Sequence, residues 1–379
     1  MDQSLSYTST IRLSYANARG MLGRITTAIG EADGMIGAVD IVNSKDGSIT
    51  RDISVRASGV DHVQKIVGQL KAIDGLNVKS VSDRVFLLHL GGKIEVNSRT
   101  PVKTRDDLSS VYTPGVARVC NAIKEDVDSS FSLTIRRNTV AVVSDGSAVL
   151  GLGNIGPEAG MPVMEGKAML FKDFGGVDAF PICLATQDVE EIIETVKRLE
   201  PTFGGINLED ISSPRCIEIE RRLNAEMAIP VFHDDQHGTA IVTLAGLTNS
   251  LELVGKKIGD IKIVINGAGA AGAAIAGLLG LAGAKQIVVC DSTGAIFAGR
   301  TERMNEVKDH LAGSTNPDKA SGTLSDVIKN ADVFVGVSAP NVLSVESIKS
   351  MAADPIVFCL LYTSPSPRDA TLSRMPSSA

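Results

Sequence analysis

Hydrophobic and polar positions change period several times along the chain. A strand-like run over residues 7–14 leads into the turn Ala16-Asn17-Ala18-Arg19-Gly20, after which Leu22, Ile25 and Ile29 recur at helical spacing. Two β-rich runs, 36–43 and 48–57, are joined through Lys45-Asp46-Gly47, a hairpin-type turn. Val63, Ile66, Val67 and Leu70 share one face of a second predicted helix over 60–73. Gly75 closes that helix, and 78–81 supplies a last strand. The order β-α-β-β-α-β is the split βαβ arrangement of ferredoxin-like domains.

Residues 86–245 mix short strands and helices. Within them 188–199 is the strongest amphipathic segment, with Val189, Ile192, Ile193, Val196 and Leu199 on one side. From 246 to 358 strands and helices alternate as in a doubly wound parallel sheet, with strands expected at 262–266, 286–291, 333–337 and 356–358. Residues 359–379 are rich in Ser and Pro, lack periodicity and are expected to be disordered. The expectation is an α/β protein in three folded blocks, 1–85, 86–245 and 246–358, followed by a misfit tail.

Composition narrows the function. A net charge of −7, 4% aromatic residues and no Trp argue against nucleic acid, which wants a basic face and stacking platforms. The five cysteines (120, 183, 216, 290 and 359) form no Cys-x-x-Cys pair, so reduced thiols in a cytoplasmic protein are expected. The N-terminus lacks the basic start and apolar run of a signal peptide. The uncharged stretch 267–284 is built from Gly and Ala after a strand, and is read as a turn and buried helix rather than a membrane span.

Gly267-Ala268-Gly269-Ala270-Ala271-Gly272 is a G-x-G-x-x-G fingerprint, weak alone. Here it follows the apolar run IKIVIN and opens an Ala/Leu helix, the context that dinucleotide binding requires. Bare glycines let a pyrophosphate approach backbone N–H groups at the positive helix end. Asp291 ends the next strand, roughly 20 residues on, where an acid can take the ribose hydroxyls. That acid favours NAD over NADP by repelling a 2′-phosphate, and Arg300 in the following loop works against the preference.

Two acidic pairs end strand-like runs, Glu209-Asp210 and Asp234-Asp235. Buried paired acids call for a cation, and oxygen ligands suit Mg²⁺ or Mn²⁺. His233 and His237 raise zinc as a competitor, but no third His or Cys lies at ligand spacing. Solvated acids at turns are the plain alternative. Lys167 sits inside an apolar stretch, where desolvation would lower its proton affinity and make it a usable base; a surface lysine is the ordinary alternative. Tyr112 precedes Thr113-Pro114-Gly115 at what reads as a helix start.

The runs VYTPGVARVC, SDGSAVLGLGNIGPEAGMPVMEGKAMLF, FGGINLEDISSPRC and IPVFHDDQHGTAIV, followed by NGAGAAG and GVSAPNVL, resemble the motif series of malic enzymes over about residues 109–358. The short bacterial branch is the most similar. The first block resembles an ACT domain in length, strand order and its glycine-bearing first turn. The resemblance implies oxidative decarboxylation of malate to pyruvate and CO₂ with NAD or NADP, and possible oxaloacetate decarboxylation. It implies Tyr112 as general acid, Lys167 as general base and Asp234 as an aid to proton removal. Glu209, Asp210 and Asp235 become metal ligands, and Ala268 to Ala271 lie at the dinucleotide phosphates. It further implies a homodimer or larger homo-oligomer, and an amino-acid effector near Gly20, unless the first block serves only as spacer or dimerising unit.

Two departures stand out. Ala148 occupies the place where larger members carry a malate-binding arginine, as in the short branch. After residue 358 the family's Ala-Asn-Pro motif is replaced by CLLYTSPSPRD, which suggests a truncated or frame-shifted end. Two rivals follow: an amino-acid dehydrogenase, which needs no metal triad, and an impaired enzyme acting only as an amino-acid sensor or nucleotide binder.

Overall fold

The computed structural model describes residues 7–45, 47–149, 151–339 and 342–359. The chain divides into two compact units between Lys93 and Ile94.

The first unit holds β1 (Tyr7–Ala16), α1 (Met21–Glu31), β2 (Met35–Lys45), β3 (Ser48–Ala57), α2 (Val60–Lys71), β4 (Leu76–Asp83) and α3 (Arg84–His89). Its antiparallel sheet has the order β2-β3-β1-β4 expected of a split βαβ domain. Ile25 and Ile29 of α1 and Val63, Ile66 and Leu70 of α2 pack on Ile11, Leu13, Ile53 and Val55, all buried. The alternation of the strands and the helical spacing therefore meet on one core face. The helix α3 is an addition that the sequence pattern did not predict.

The second unit begins with α4 (Arg105–Val111), α5 (Val116–Glu125) and α6 (Ser130–Leu133). It continues through β5 (Thr139–Ser144), α7 (Pro157–Gly175), β6 (Asp178–Cys183), α8 (Val189–Leu199), β7 (Gly205–Leu208), α9 (Arg215–Glu226), β8 (Val231–His233) and α10 (Asp234–Val254). Its last part comprises β9 (Lys262–Asn266), α11 (Ala270–Leu281), β10 (Gln286–Asp291), β11 (Gly294–Ala295), α12 (Glu306–Ser314), α13 (Leu324–Val327), β12 (Val333–Gly336), α14 (Val345–Lys349) and β13 (Ile356–Cys359). A parallel sheet β6-β5-β7-β8 and a sheet β11-β10-β9-β12-β13, parallel apart from β11, form two α/β layers.

The amphipathic segment at 188–199 is α8, and the Asp188 carboxylate caps it by accepting the Glu191 N–H at 3.0 Å. Ile192, Ile193 and Val196 turn inward onto Ala141, Val143, Ile206 and Leu208. The helix α10 runs straight through the expected 245/246 boundary. Its first turn carries Asp234 and Asp235, and its far end inserts Leu247 and Leu251 into the core of the second sheet. A helix of 21 residues spans about 30 Å, so one rigid element joins the acids to the second α/β layer. Ala270, at the start of α11, packs against the core of the first sheet, which ties the two layers together from the other side.

Of the tail expected to be disordered, 359–379, Cys359 instead ends β13, paired with Gly336; residues 360–379 lie outside the described residues, as do Pro340 and Asn341 of the GVSAPNVL run. Among the described residues no helix is long and apolar enough to cross a membrane. All five cysteines are free thiols.

Candidate active site

Ligands of open α/β sheets gather beyond the carboxyl ends of the strands, and both candidate sites lie there. β7 and β8 are parallel neighbours with Leu208 opposite His233. The residues that follow, Glu209-Asp210 and Asp234-Asp235, are thereby brought side by side. Asp210 has a left-handed backbone (φ 53°), and its N–H donates to Asp235 Oδ2 at 3.1 Å. Glu209, Asp210 and Asp235 place one carboxylate oxygen each within 4.8 Å of one another.

The electrostatics fit a cation. Burial pushes Glu209 up to about 8 and Asp210 up to about 7, and the neighbouring carboxylate of Asp235 adds to both. Asp235 is raised by burial as well. Two buried acids and a partly exposed one at one point repel each other unless positive charge joins them, and an all-oxygen donor set suits a hard divalent ion.

Lys167 projects from α7 into this cluster. Its Nζ lies 2.6 Å from Asp234 Oδ2 and 3.1 Å from Glu209 Oε2. The expected loss of proton affinity is corrected here: burial works to lower the pKa of Lys167, but Glu209 and then Asp234 outweigh it, and the group is held above its usual value. Gly238, one turn beyond Asp234, makes room for that carboxylate, since a Cβ there would lie 2.3 Å from Asp234 Oδ1.

Tyr112 is placed differently from expectation. It ends α4 rather than starting a helix, is 65% exposed, and is not among the side chains hydrogen-bonded in the acidic cluster. The zinc alternative finds no support in the geometry. His237 Nε2 contacts Glu220 at 2.8 Å, while His233 is fully buried and held near 4 by burial; neither of its ring nitrogens is hydrogen-bonded, and Nε2 lies 4.0 Å from Asp235 Oδ2.

Three contributors escaped the sequence reading. Arg215 Nη2 binds Asp145 Oδ2 at 2.9 Å, Ser147 Oγ at 2.9 Å and Ser212 Oγ at 2.8 Å. Asp145 is fully buried at the end of β5, and Ala148 N–H donates to Asp210 O at 2.9 Å. The 145–149 loop is thus clamped against the Glu209–Asp210 turn. Asn207 donates to Glu209 Oε2 at 2.9 Å and fixes that carboxylate.

The dinucleotide turn follows β9. Gly267 (φ 131°) has no room for a side chain, as a Cβ would meet Val337 O at 2.7 Å. At Gly272 a Cβ would sit 1.8 Å from Gly267 O, so α11 can pack on its own turn only with glycine there. At Gly269 nothing lies within 4 Å, leaving open space for a pyrophosphate beside Ala268, Ala270 and Ala271. Gly267, Ala268, Gly269, Asp291, Ser292 and Thr293 share a cavity of about 460 Å³. The Asp291 carboxylate is not bare: Arg300 and Lys308 bind it at 2.8 and 2.7 Å.

The chain matches the malic enzyme N-terminal domain over residues 91–224 and the malic enzyme NAD binding domain over 236–367. It belongs to the malic enzyme family. An ACT domain matches residues 3–82. This malic enzyme is 59% identical over 351 residues to the NAD-dependent malic enzyme of Geobacillus stearothermophilus, covering 93% of this chain and 73% of that one. It is 58% identical over 281 residues to the bifunctional malic/malolactic enzyme of Bacillus subtilis, covering 74% and 68%. The crystal structure of NAD-dependent malic enzyme from Thermotoga maritima superposes with a TM-score of 0.73 at 49% identity, covering 77% of this chain and 78% of that one. The amino-acid dehydrogenase rival falls with these matches.

Proposed function

We propose that this malic enzyme converts malate to pyruvate and CO₂ at the Lys167–Asp234–Glu209–Asp210–Asp235 cluster, with reduction of NAD or NADP. The observation that carries the assignment is the convergence of Lys167 on three acids whose oxygens gather at one point.

When bound, a divalent cation draws electron density from the substrate's oxygens and the dinucleotide accepts the C2 hydride. Glu209, Asp210 and Asp235 would hold the cation, and their charge would then be engaged by it. With Glu209 engaged by the cation, Lys167 would keep only Asp234 as a free carboxylate partner, pass its proton to it and, as the neutral amine, take the proton of the C2 hydroxyl. Asp234, in direct contact with the ammonium, orients Lys167 and receives the proton onward. Tyr112 supplies the proton to C3 after CO₂ departs; the support for that role is its place in the VYTPGVARVC motif.

The reading includes a homodimer or larger assembly, as the resemblance to the family implies. It also includes cytoplasmic location, the three-block division of the chain, and an amino-acid effector near Gly20, which caps α1 in a left-handed conformation. The test is product analysis: malate, Mn²⁺ and dinucleotide should give pyruvate, CO₂ and reduced dinucleotide in equal amounts. Accumulation of oxaloacetate without CO₂ would refute the decarboxylating assignment.

A further inference from the structure

The corner between β8 and α10 carries Asp234 and Asp235, and it is held from an unusual direction. His233 is the N-cap residue of α10, and its side chain makes no capping bond. An N-cap N–H is commonly taken by a side chain three residues into its own helix. Here the acceptor belongs to another helix: Glu220 Oε1, on α9, takes the His233 N–H at 3.3 Å. The same carboxylate meets His237 Nε2, at 2.8 Å from Oε1 and 2.9 Å from Oε2. His233 precedes the two acids and His237 follows them. One carboxylate therefore staples the end of β8 to the opening of α10 across Asp234 and Asp235.

The anchor is rigid. Glu220 is 7% exposed, and Cys216, Ile219 and Leu223 of the same helix are buried in the core of the β6-β5-β7-β8 sheet. Phe232 packs against the His237 ring, with centroids 5.6 Å apart. The corner so held aims its two acids separately. Asp234 reaches Lys167 Nζ at 2.6 Å, and Asp235 accepts the Asp210 N–H at 3.1 Å. Metal–ligand distances tolerate only about 0.2 Å, so a corner free to rock would hold a cation poorly.

We propose that Glu220 is a positioning residue for the cation site: through His233 and His237 it keeps Asp235 where it joins Glu209 and Asp210. The inference rests on the reading of those three acids as metal ligands. A carboxylate costs much to bury, and packing alone would be served by an apolar side chain. What Glu220 adds is two hydrogen bonds to the backbone and side chain on either side of the acids.

Mn²⁺ binding to the full chain, followed by electron paramagnetic resonance, is the test, with calorimetric titration of 5′-AMP as a control on the second sheet. Glu220→Ala should weaken Mn²⁺ about ten- to a hundredfold, the usual cost of losing a group that orients a ligand. Glu220→Gln keeps an oxygen for both donors and should stay within about threefold of the parent. His237→Phe removes one bond at a side chain 44% exposed, keeps the contact with Phe232, and should weaken Mn²⁺ about two- to tenfold. That variant decides the matter if Glu220→Ala does not fold. Affinity for 5′-AMP should be unchanged in all of them. Parent-like Mn²⁺ affinity in Glu220→Ala, or in His237→Phe where the first variant does not fold, overturns the proposal. So does a loss in Glu220→Gln as deep as in Glu220→Ala, or a parallel loss of 5′-AMP binding. Each of these leaves the metal reading standing, whereas a parent chain that binds no Mn²⁺ overturns both.

Discussion

The ammonium of Lys167 and the carboxylate of Asp234 meet at 2.6 Å although 67 residues separate them in the chain. The contact joins the middle of α7 to the first residue of α10, and it puts a proton acceptor directly behind the proposed base. Lys167→Ala should lower malate turnover by about 10²–10⁴-fold, the usual contribution of a positioned acid–base group. Dinucleotide binding, followed by the fluorescence of the reduced nicotinamide, should stay within experimental error of the parent. Loss of both together would place Lys167 in the fold rather than in the chemistry.

Arg215 neutralises Asp145, which is fully buried. Arg215→Ala leaves that carboxylate without its partner and should destabilise the protein by about 3–5 kcal/mol in urea unfolding. Replacing both residues by apolar ones of similar size should recover much of the loss, because the penalty comes from the orphaned charge. A single variant of unchanged stability would remove the clamp from the account.

Gly272→Ala drives a methyl group into Gly267 O, 1.8 Å from the Cβ position. The helix α11 must then shift off its turn. Overpacking of this kind costs about 1–3 kcal/mol, and the displaced N–H groups should weaken 5′-AMP binding in the same calorimetric assay. Ala271→Gly, which adds no bulk, should leave that affinity nearly unchanged.

Acid should weaken the end of β10 in a defined window. Burial pushes Asp291 up, but Arg300, Lys308 and the Thr293 N–H overcome it and hold the group at about 2, below its usual 3.8. A depressed folded-state pKa contributes stability that is complete above the unfolded value and lost as pH falls through the folded one. Asp291→Asn should therefore be less stable than the parent near pH 7, and the gap should close between about pH 4 and pH 2. A gap independent of pH would show that the carboxylate's charge is not what matters.

Much of this was legible in the sequence because one buried face imposes a period. Ile25, Ile29, Val63, Ile66 and Leu70 announced the first unit, and the apolar run before Gly267 announced the dinucleotide turn. The acids were visible because Glu209-Asp210 and Asp234-Asp235 end apolar runs. What escaped was set by tertiary partners. The charge of Lys167 depends on Glu209 and Asp234, from two other elements, so burial alone gave the wrong direction. Arg215 carries no signal of its own in the sequence, and only the fold brings it to Asp145. Lys308 lies 17 residues beyond Asp291 on α12, and only the packed structure shows that it shares the carboxylate with Arg300.

The central claim is that Glu209, Asp210 and Asp235 hold the divalent ion on which malate chemistry depends. The most direct measurement is Mn²⁺ binding, followed by electron paramagnetic resonance, alongside malate-dependent formation of reduced dinucleotide in the parent and in Asp235→Asn. The account predicts saturable Mn²⁺ binding and turnover that rises with occupancy in the parent, with both lost in the variant while 5′-AMP still binds. Undiminished turnover in the presence of a chelator, or in Asp235→Asn, would contradict it.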